Sequence, residues 1–362
     1  MKKNARNSKG TVLVTGGAGY LGSHTSVALL EAGYNVVVAD NLANGYEENI
    51  KKVEEITGAS VTFYRADVTD EQALQKIFTE HSFDAVMHFA GLKSVKESFA
   101  RALDYYHTNV SGTVTLAKVC NAFGVQKFIF SSSATVYGEN QVPFTEHMPL
   151  KPTINPYGET KSMCERVLQD FSLMNPEFSI AILRYFNPVG AHASGKIGEN
   201  PRGIPDNIMP YITQVATGKL ERLHIFGNDY ETPDGTCIRD FVHVMDIAEG
   251  HVKTMEHLDG GAVVYNLGTG KGTSVKELIY TFQQVNNIRV PHEFAARREG
   301  DIEICYADTG KVNREIGWRA ARTVADMCRD AWQYELALMK EKATLLEASR
   351  GGGTFIDMEK KV

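Results

Sequence analysis

Cysteine is sparse in this sequence: five among 362 residues (Cys120, Cys164, Cys237, Cys305 and Cys328), odd in number, far apart and never as C-x-x-C. That spacing predicts neither a disulfide framework nor a zinc site, and a reducing, cytoplasmic setting fits it best. Positive charge is not in excess. With 38 basic against 44 acidic residues the formal net charge is −6, so no bulk field draws a nucleic acid or an anionic membrane surface, and any phosphate must be held locally. Long apolar runs are missing too. Behind the basic start Met1–Lys9 stands only Val12-Leu13-Val14 before glycines, too short for a signal-peptide core, and nothing reaches the ~18 residues of a membrane span. Histidines such as His88, His243 and His251 lack metal-like spacing, so no metal is expected. What remains is a balanced composition, 43% hydrophobic, 23% charged and 9% aromatic, which predicts a folded soluble protein with room for two domains.

The first half alternates β-branched runs with amphipathic stretches. Thr11–Thr15, Asn35–Ala39, Val61–Tyr64, Asp84–His88 and Lys127–Phe130 read as buried strands, and Ser179–Arg184 follows a helical stretch from Tyr157 to Met174. This alternation predicts an α/β fold, a Rossmann-type doubly wound parallel sheet. Its regularity fails near Asn187, where Pro- and Gly-rich connectors and an isolated helix around Asp206–Thr217 begin. Residues 1–186 are therefore assigned to the sheet domain, and 187–340 to a smaller α/β substrate domain whose elements could interleave with the first. Residues 341–362, with Gly351-Gly352-Gly353, are assigned to a loose tail.

Gly16-Gly17-Ala18-Gly19-Tyr20-Leu21-Gly22 directly follows the first strand and opens a helix, with the spacing G-x-x-G-x-x-G. Glycines there allow a tight turn and close backbone approach to a pyrophosphate, whose charge meets the positive end of the helix dipole. Asp40, at the end of the second strand, can accept bonds from ribose hydroxyls. No arginine follows closely to welcome a 2′-phosphate, which favours NAD over NADP. Asp67-Val68 either flanks the adenine in the same groove or begins a helix as its N-cap. Tyr157 and Lys161 are four apart at the start of a predicted helix and so share a face. A phenol becomes a usable base near neutrality when positive charge stabilises its phenolate, and Lys161 supplies one such charge. Ser131-Ser132-Ser133 closes a strand, at the sheet edge where open α/β folds bind ligands, and a hydroxyl there could share a proton with the phenol.

With Ser131–Gly138, Arg184-Tyr185-Phe186-Asn187-Pro188-Val189-Gly190-Ala191, Gly203–Pro210, Arg239–Asp246 and Arg297–Asp301, these motifs resemble the extended short-chain dehydrogenase/reductase superfamily and, within it, the UDP-hexose 4-epimerases, from about Thr11 to Trp332. The resemblance implies that Ser133, Tyr157 and Lys161 are catalytic. It implies that Gly16, Gly19, Tyr20, Leu21, Gly22, Asp40, Asn41, Asn44, Asp67, Val68, Phe89, Ala90, Gly91, Lys93, Asn109 and Tyr185 hold a tightly bound NAD together with the catalytic three. It further implies that Phe186, Asn187, Asn207 and Ile208, with Lys93, Ser133 and Tyr157, meet the nucleotide sugar. Backbone around Leu223, His224, Ile225 and Phe226 would receive the uracil, and Arg239 and Arg298, with Asp301 nearby, would clamp the diphosphate. Cys305 falls where the family carries a size gate on the hexose pocket.

The activity so implied is redox-neutral interconversion of UDP-galactose and UDP-glucose, with hydride leaving and returning to C4 through a 4-keto sugar. The small Cys305 extends the expectation to the 2-acetamido sugars. A homodimer formed through Val95–Phe123 and Tyr157–Met174 is implied by the same analogy. A 4,6-dehydratase is disfavoured, because Ala134-Thr135 follow Ser133 where those enzymes carry an Asp-Glu pair. A silent NAD-sensing module is disfavoured by the intact serine, tyrosine and lysine. An enzyme acting on UDP-glucuronate, which wants an added cation for the sugar carboxylate, stays open.

Overall fold

The computed structural model describes residues 8–298 and 301–351. Seven strands form one sheet: β1 (Thr11–Thr15), β2 (Asn35–Asp40), β3 (Thr62–Arg65), β4 (Ala85–His88), β5 (Lys127–Ser133), β6 (Ser179–Tyr185) and β7 (Ala262–Leu267). They run in the order β7-β6-β5-β4-β1-β2-β3, every pairing parallel. Continuous apolar strands such as Val12-Leu13-Val14 demand cover on both faces, and both faces have it. Val12, Val14, Ile129 and Ala181 pack on one side with Leu29 of the helix Tyr20–Glu31 and Ile247, Ala248 and Val252 of the helix Val244–His257. Leu13, Val86, Phe128 and Phe130 pack on the other with Leu74, Leu116, Cys164 and Leu168.

The predicted strands are present, and the differences are local. β5 runs on through all three serines. β7 is drawn from beyond residue 186 and pairs along β6 from Ala262↔Ile180 to Leu267↔Tyr185, so the two halves of the chain share the sheet. The second half adds short pairs: Asn187–Val189 with Phe241–His243, Leu223–Phe226 with His292–Ala295, and Ile238–Arg239 between Thr273–Ser274 and Ile304–Cys305. Its own core contains Met209, Ile212, Leu278, Phe282, Met327 and Cys328. The last helix, Val324–Gly351, carries residues 341–351, which the sequence assigns to a loose tail, and Lys52 reaches Glu341 at 2.9 Å. Residues 352–362 of that expected tail lie outside the described residues.

The stretch Val95–Phe123 is broken rather than one long helix. Arg101 leaves helical geometry, and a π-helical turn, Tyr106–Ser111, precedes the helix Gly112–Ala122. No helix among the described residues is long and apolar enough to cross a membrane, and no group of three or more His, Cys, Asp or Glu among them is placed to hold a metal ion.

Candidate active site

The strand order reverses between β1 and β4, and crevices form at the carboxyl ends of strands on either side of such a switch point. The loop after β1 meets the loop after β4 there. Gly16 has φ +73°, and a Cβ on it would lie 2.6 Å from the Ala90 nitrogen, so only glycine fits. Gly19 caps the helix Tyr20–Glu31 without any side-chain bond, which leaves the first-turn N–H groups of Tyr20, Leu21 and Gly22 without a capping side chain. Free first-turn amides at a helix dipole's positive end suit a pyrophosphate. The Tyr20 phenol is committed elsewhere, donating to the Gly190 carbonyl at 2.7 Å, so Tyr20 has only its backbone to offer.

Asp40 is a buried carboxylate at the end of β2 that accepts from Ala18 N (3.0 Å) and Leu42 N (2.8 Å). Burial pushes its pKa up, and those two N–H bonds pull it back. It therefore shapes the glycine loop from the end of β2. Asn41 donates to Asp67 at 2.7 Å. Burial raises the Asp67 carboxyl, but bonds from Thr69 and Asn41 outweigh that and leave it below its usual value. Asp67 is not a helix N-cap; Asp70 caps the next helix. Val68 is buried and Asn44 exposed. The sequence reading missed Asn49, whose buried amide donates to the Ala18 carbonyl at 2.8 Å.

Across the crevice Phe89, Ala90 and Gly91 leave β4 half-buried. Asn109, in the π-helical turn, is wholly engaged: its oxygen accepts from Leu92 N (2.8 Å), and its nitrogen donates to Leu92 O (3.1 Å) and Thr160 Oγ1 (2.9 Å). It clamps the β4 loop onto the Tyr157 helix. π-turns of this kind gather at functional sites, and nothing in the sequence announces this one.

The helix Pro156–Met174 begins with Asn155 as N-cap, accepting from Gly158 N at 2.8 Å, and proline at N1, which sets Tyr157 in the first turn. The three serines separate by role. Ser132 is buried and donates to Glu165, and the Ser131 carbonyl accepts from Lys161 Nζ at 2.7 Å. The half-buried Ser133 accepts from Thr135 N (3.2 Å) and Thr135 Oγ1 (2.9 Å), and of the three it is the one that acts on the Tyr157 phenol. Burial raises the Tyr157 phenol, against the lowering pull of Ser133 and of Lys93. Lys93 thus acts on the phenol through its charge, while the Lys161 ammonium donates to the Ser131 carbonyl and lies 4.9 Å over the Phe130 ring. Burial brings Lys161 down to about 8, with Cys164 and Glu165 pulling upward. Lys93 also binds Glu199 at 2.8 Å, and Glu199 in turn accepts from Asn207 at 2.6 Å, joining the two sides of the cleft.

Tyr185 is buried at the end of β6, its ring 5.5 Å from that of His251. Phe186 packs with Phe144 and Ala307, and the partly buried Cys305 lies against that cluster. Cys305 also pairs with Arg239 across adjacent strands, and burial lifts its thiol to about 11, a small uncharged wall. Arg239 reaches Asp301 at 3.7 Å, and Asp301 N donates to the Arg298 carbonyl, so both arginine segments adjoin. Arg298 is exposed and stacks 3.9 Å over the Phe226 ring. Leu223 and Ile225 point into the core, leaving His224 and Phe226 on the open side. Asn187 continues from Phe186 in a half-buried strand, and Ile208 opens the helix Ile208–Ala216 behind Asn207.

The profile described as NAD dependent epimerase/dehydratase family matches residues 12–268. A UDP-glucose 4-epimerase of Bacillus subtilis (strain 168) is 54% identical over 327 residues, 90% of this chain and 96% of the relative. The crystal structure of UDP-glucose 4-epimerase from Bifidobacterium longum in complex with NAD+ and UDP superposes with a TM-score of 0.88 at 46% identity, covering 90% of this chain and 98% of that one. The UDP-Glc/GlcNAc 4-epimerase of Campylobacter jejuni superposes at 0.78 with 38% identity, over 90% of this chain and 99% of that one.

Proposed function

The chain belongs to the NAD dependent epimerase/dehydratase family, and on that premise we propose that it interconverts UDP-galactose and UDP-glucose while retaining one NAD. The observation that carries the reading is the convergence of Tyr157, Ser133 and Lys93 beside an uncapped helix N-terminus and the buried Asp40 carboxylate that closes β2. The free amides of Tyr20–Gly22 suit the pyrophosphate, Asp40 the ribose, and the loop from Phe89 to Gly91 the far wall of the groove. When bound, NAD supplies an acceptor and then a donor of hydride for C4, so the sugar passes through a 4-keto state with no net redox change.

Tyr157 takes the 4-hydroxyl proton as phenolate, directly or through Ser133, and later returns it. Lys93 lends the phenolate its charge. Lys161 orients the cofactor ribose and adds charge from the Ser131 side. Arg239 and Arg298 hold the diphosphate, for which a planar guanidinium fork is well matched. Asn187 and Asn207 steady the sugar nucleotide, and the backbone at His224 and Phe226 receives the uracil. Binding at the uridine end leaves the hexose free to turn over, so the second face of C4 is presented without release. The half-buried Cys305 beside Phe186 supports a pocket wide enough for UDP-N-acetylglucosamine and UDP-N-acetylgalactosamine. Exposed Leu103, Leu173 and Met174 (84%, 78% and 82%) on the two helical stretches support a homodimer, which a single-chain mass at sedimentation equilibrium would reject. Five free cysteines support a cytoplasmic setting.

Purified protein incubated with UDP-galactose and no added NAD should form UDP-glucose. Tyr157→Phe should abolish turnover while leaving NAD bound; full activity in that variant, or none in the wild type even with NAD supplied, overturns the reading.

A further inference from the structure

Tyr157, Lys161 and Glu165 are spaced by four along the helix Pro156–Met174 and so share one face. The first two belong to the proposed chemistry, and the third does not. Glu165 is fully buried, and three bonds hold it: Ser132 donates to Oε1, Arg184 Nε donates to Oε1 at 3.0 Å, and Arg184 Nη2 donates to Oε2 at 2.6 Å. Ser132 and Arg184 face each other across β5 and β6. The guanidinium is backed by the Tyr137 ring at 4.7 Å. Buried ion pairs of this kind rarely add stability over an apolar substitute, which invites a reason for their placement. Here the pair grips the residue between Ser131, whose carbonyl holds Lys161, and Ser133, whose hydroxyl accepts from Thr135 at 2.9 Å and lowers the Tyr157 phenol.

The groups facing Lys161 are few. From its own helix come Cys164 and Glu165, from β5 the Ser131 carbonyl and the Phe130 ring, and from β4 His88. Burial raises the Cys164 thiol and lowers His88 to about 3, so both are neutral near pH 7. Glu165 is the one anion among these described groups.

We propose that Glu165 is a positioning residue: through Ser132 and Arg184 it fixes the carboxyl end of β5 against the Tyr157 helix, and its charge keeps the buried Lys161 ammonium protonated at working pH. The inference rests on the functional reading above, in which a charged Lys161 serves turnover. Losing the Glu165 charge leaves Lys161 easier to deprotonate, and the Arg184 charge it strands acts in the same direction. The alkaline limb of the rate profile therefore moves toward lower pH.

The test is the pH dependence of kcat for UDP-galactose in the NAD-loaded enzyme. Glu165→Gln should bring the alkaline limb down by about one pH unit or more, with KM unchanged within about twofold because Glu165 has no access to the substrate. Should that variant fail to fold, Glu165→Gln with Arg184→Met removes the pair without stranding a charge, and its limb should move the same way by a smaller amount. A lower kcat with an unmoved limb, in whichever of the two variants folds, overturns the proposal. An inactive wild type would instead strike down the functional reading itself.

Discussion

Substituting Gly16 with alanine tests whether the contact between the β1 and β4 loops builds the cofactor crevice. Two costs follow from the structure. The first is conformational: at φ +73° a Cβ is strained, at about 1–2 kcal/mol. The second is steric, since that Cβ would sit 2.6 Å from Ala90 N and 2.9 Å from both Ala90 Cα and Phe89 C, against ordinary contact at 3.4–4 Å. All three neighbours are backbone, so the loops must part, at the ~1–3 kcal/mol typical of overpacking. Together these predict a loss of about 2–5 kcal/mol and, at roughly 2–4 °C per kcal/mol, a fall in Tm of about 4–20 °C. Because the loops that part are the crevice walls, NAD retention should fall as well. Added NAD should then stabilise the variant less than the wild type at equal concentration. Gly58→Ala is the control: its φ is +68°, but nothing lies within 4 Å of its Cβ, so it carries the strain alone and should keep its NAD. Thermal unfolding with and without NAD, plus the NAD content of purified protein, gives the answer. A Gly16→Ala variant with wild-type Tm and full NAD refutes the reasoning.

Asn155→Ala removes the cap before Tyr157 and should cost about 1 kcal/mol. Because Tyr157 is in that first turn, kcat should fall several-fold with KM kept, and an unchanged kcat would show that the cap does not set the phenol's position. Burial lowers His24 and His88 to about 3 and His251 to about 4, so the native state keeps them neutral while the unfolded chain takes up protons near pH 6.5. Stability should therefore hold above that pH and be lost as pH falls below it, by up to about 1.4 kcal/mol per unit for each histidine. Urea midpoints that do not change between about pH 7 and about pH 5 would contradict this. Cys305→Tyr should remove turnover of UDP-N-acetylgalactosamine while sparing UDP-galactose, and equal activity on both sugars would refute the gate.

Much of this was legible from the chain because the relevant signals are local. The glycine turn, the acid closing β2 and the spacing of Tyr157 and Lys161 each depend on a few neighbouring residues and on helix or strand period, as do the strands β1 to β6. Ser131, Ser132 and Ser133, by contrast, are chemically identical in sequence. Only packing sends Ser132 to Glu165 and leaves Ser133 bonded to Thr135 and acting on the Tyr157 phenol. The same holds for the lysines: spacing points to Lys161, and only the packed chain puts its buried ammonium on the Ser131 carbonyl and brings Lys93 from the β4 loop to act on Tyr157 as well.

Periodicity and composition thus determined the doubly wound sheet, the site of the crevice and the residue types in it, since these follow from hydrophobic alternation and backbone freedom along adjacent residues. The tertiary structure alone decided that β7 returns to complete the sheet, that Asn109 clamps a loop, that Glu199 bridges the cleft and that Glu165 stands behind the site. Each of these joins residues far apart in the chain, through hydrogen bonds and charges whose partners exist only once the apolar faces have packed.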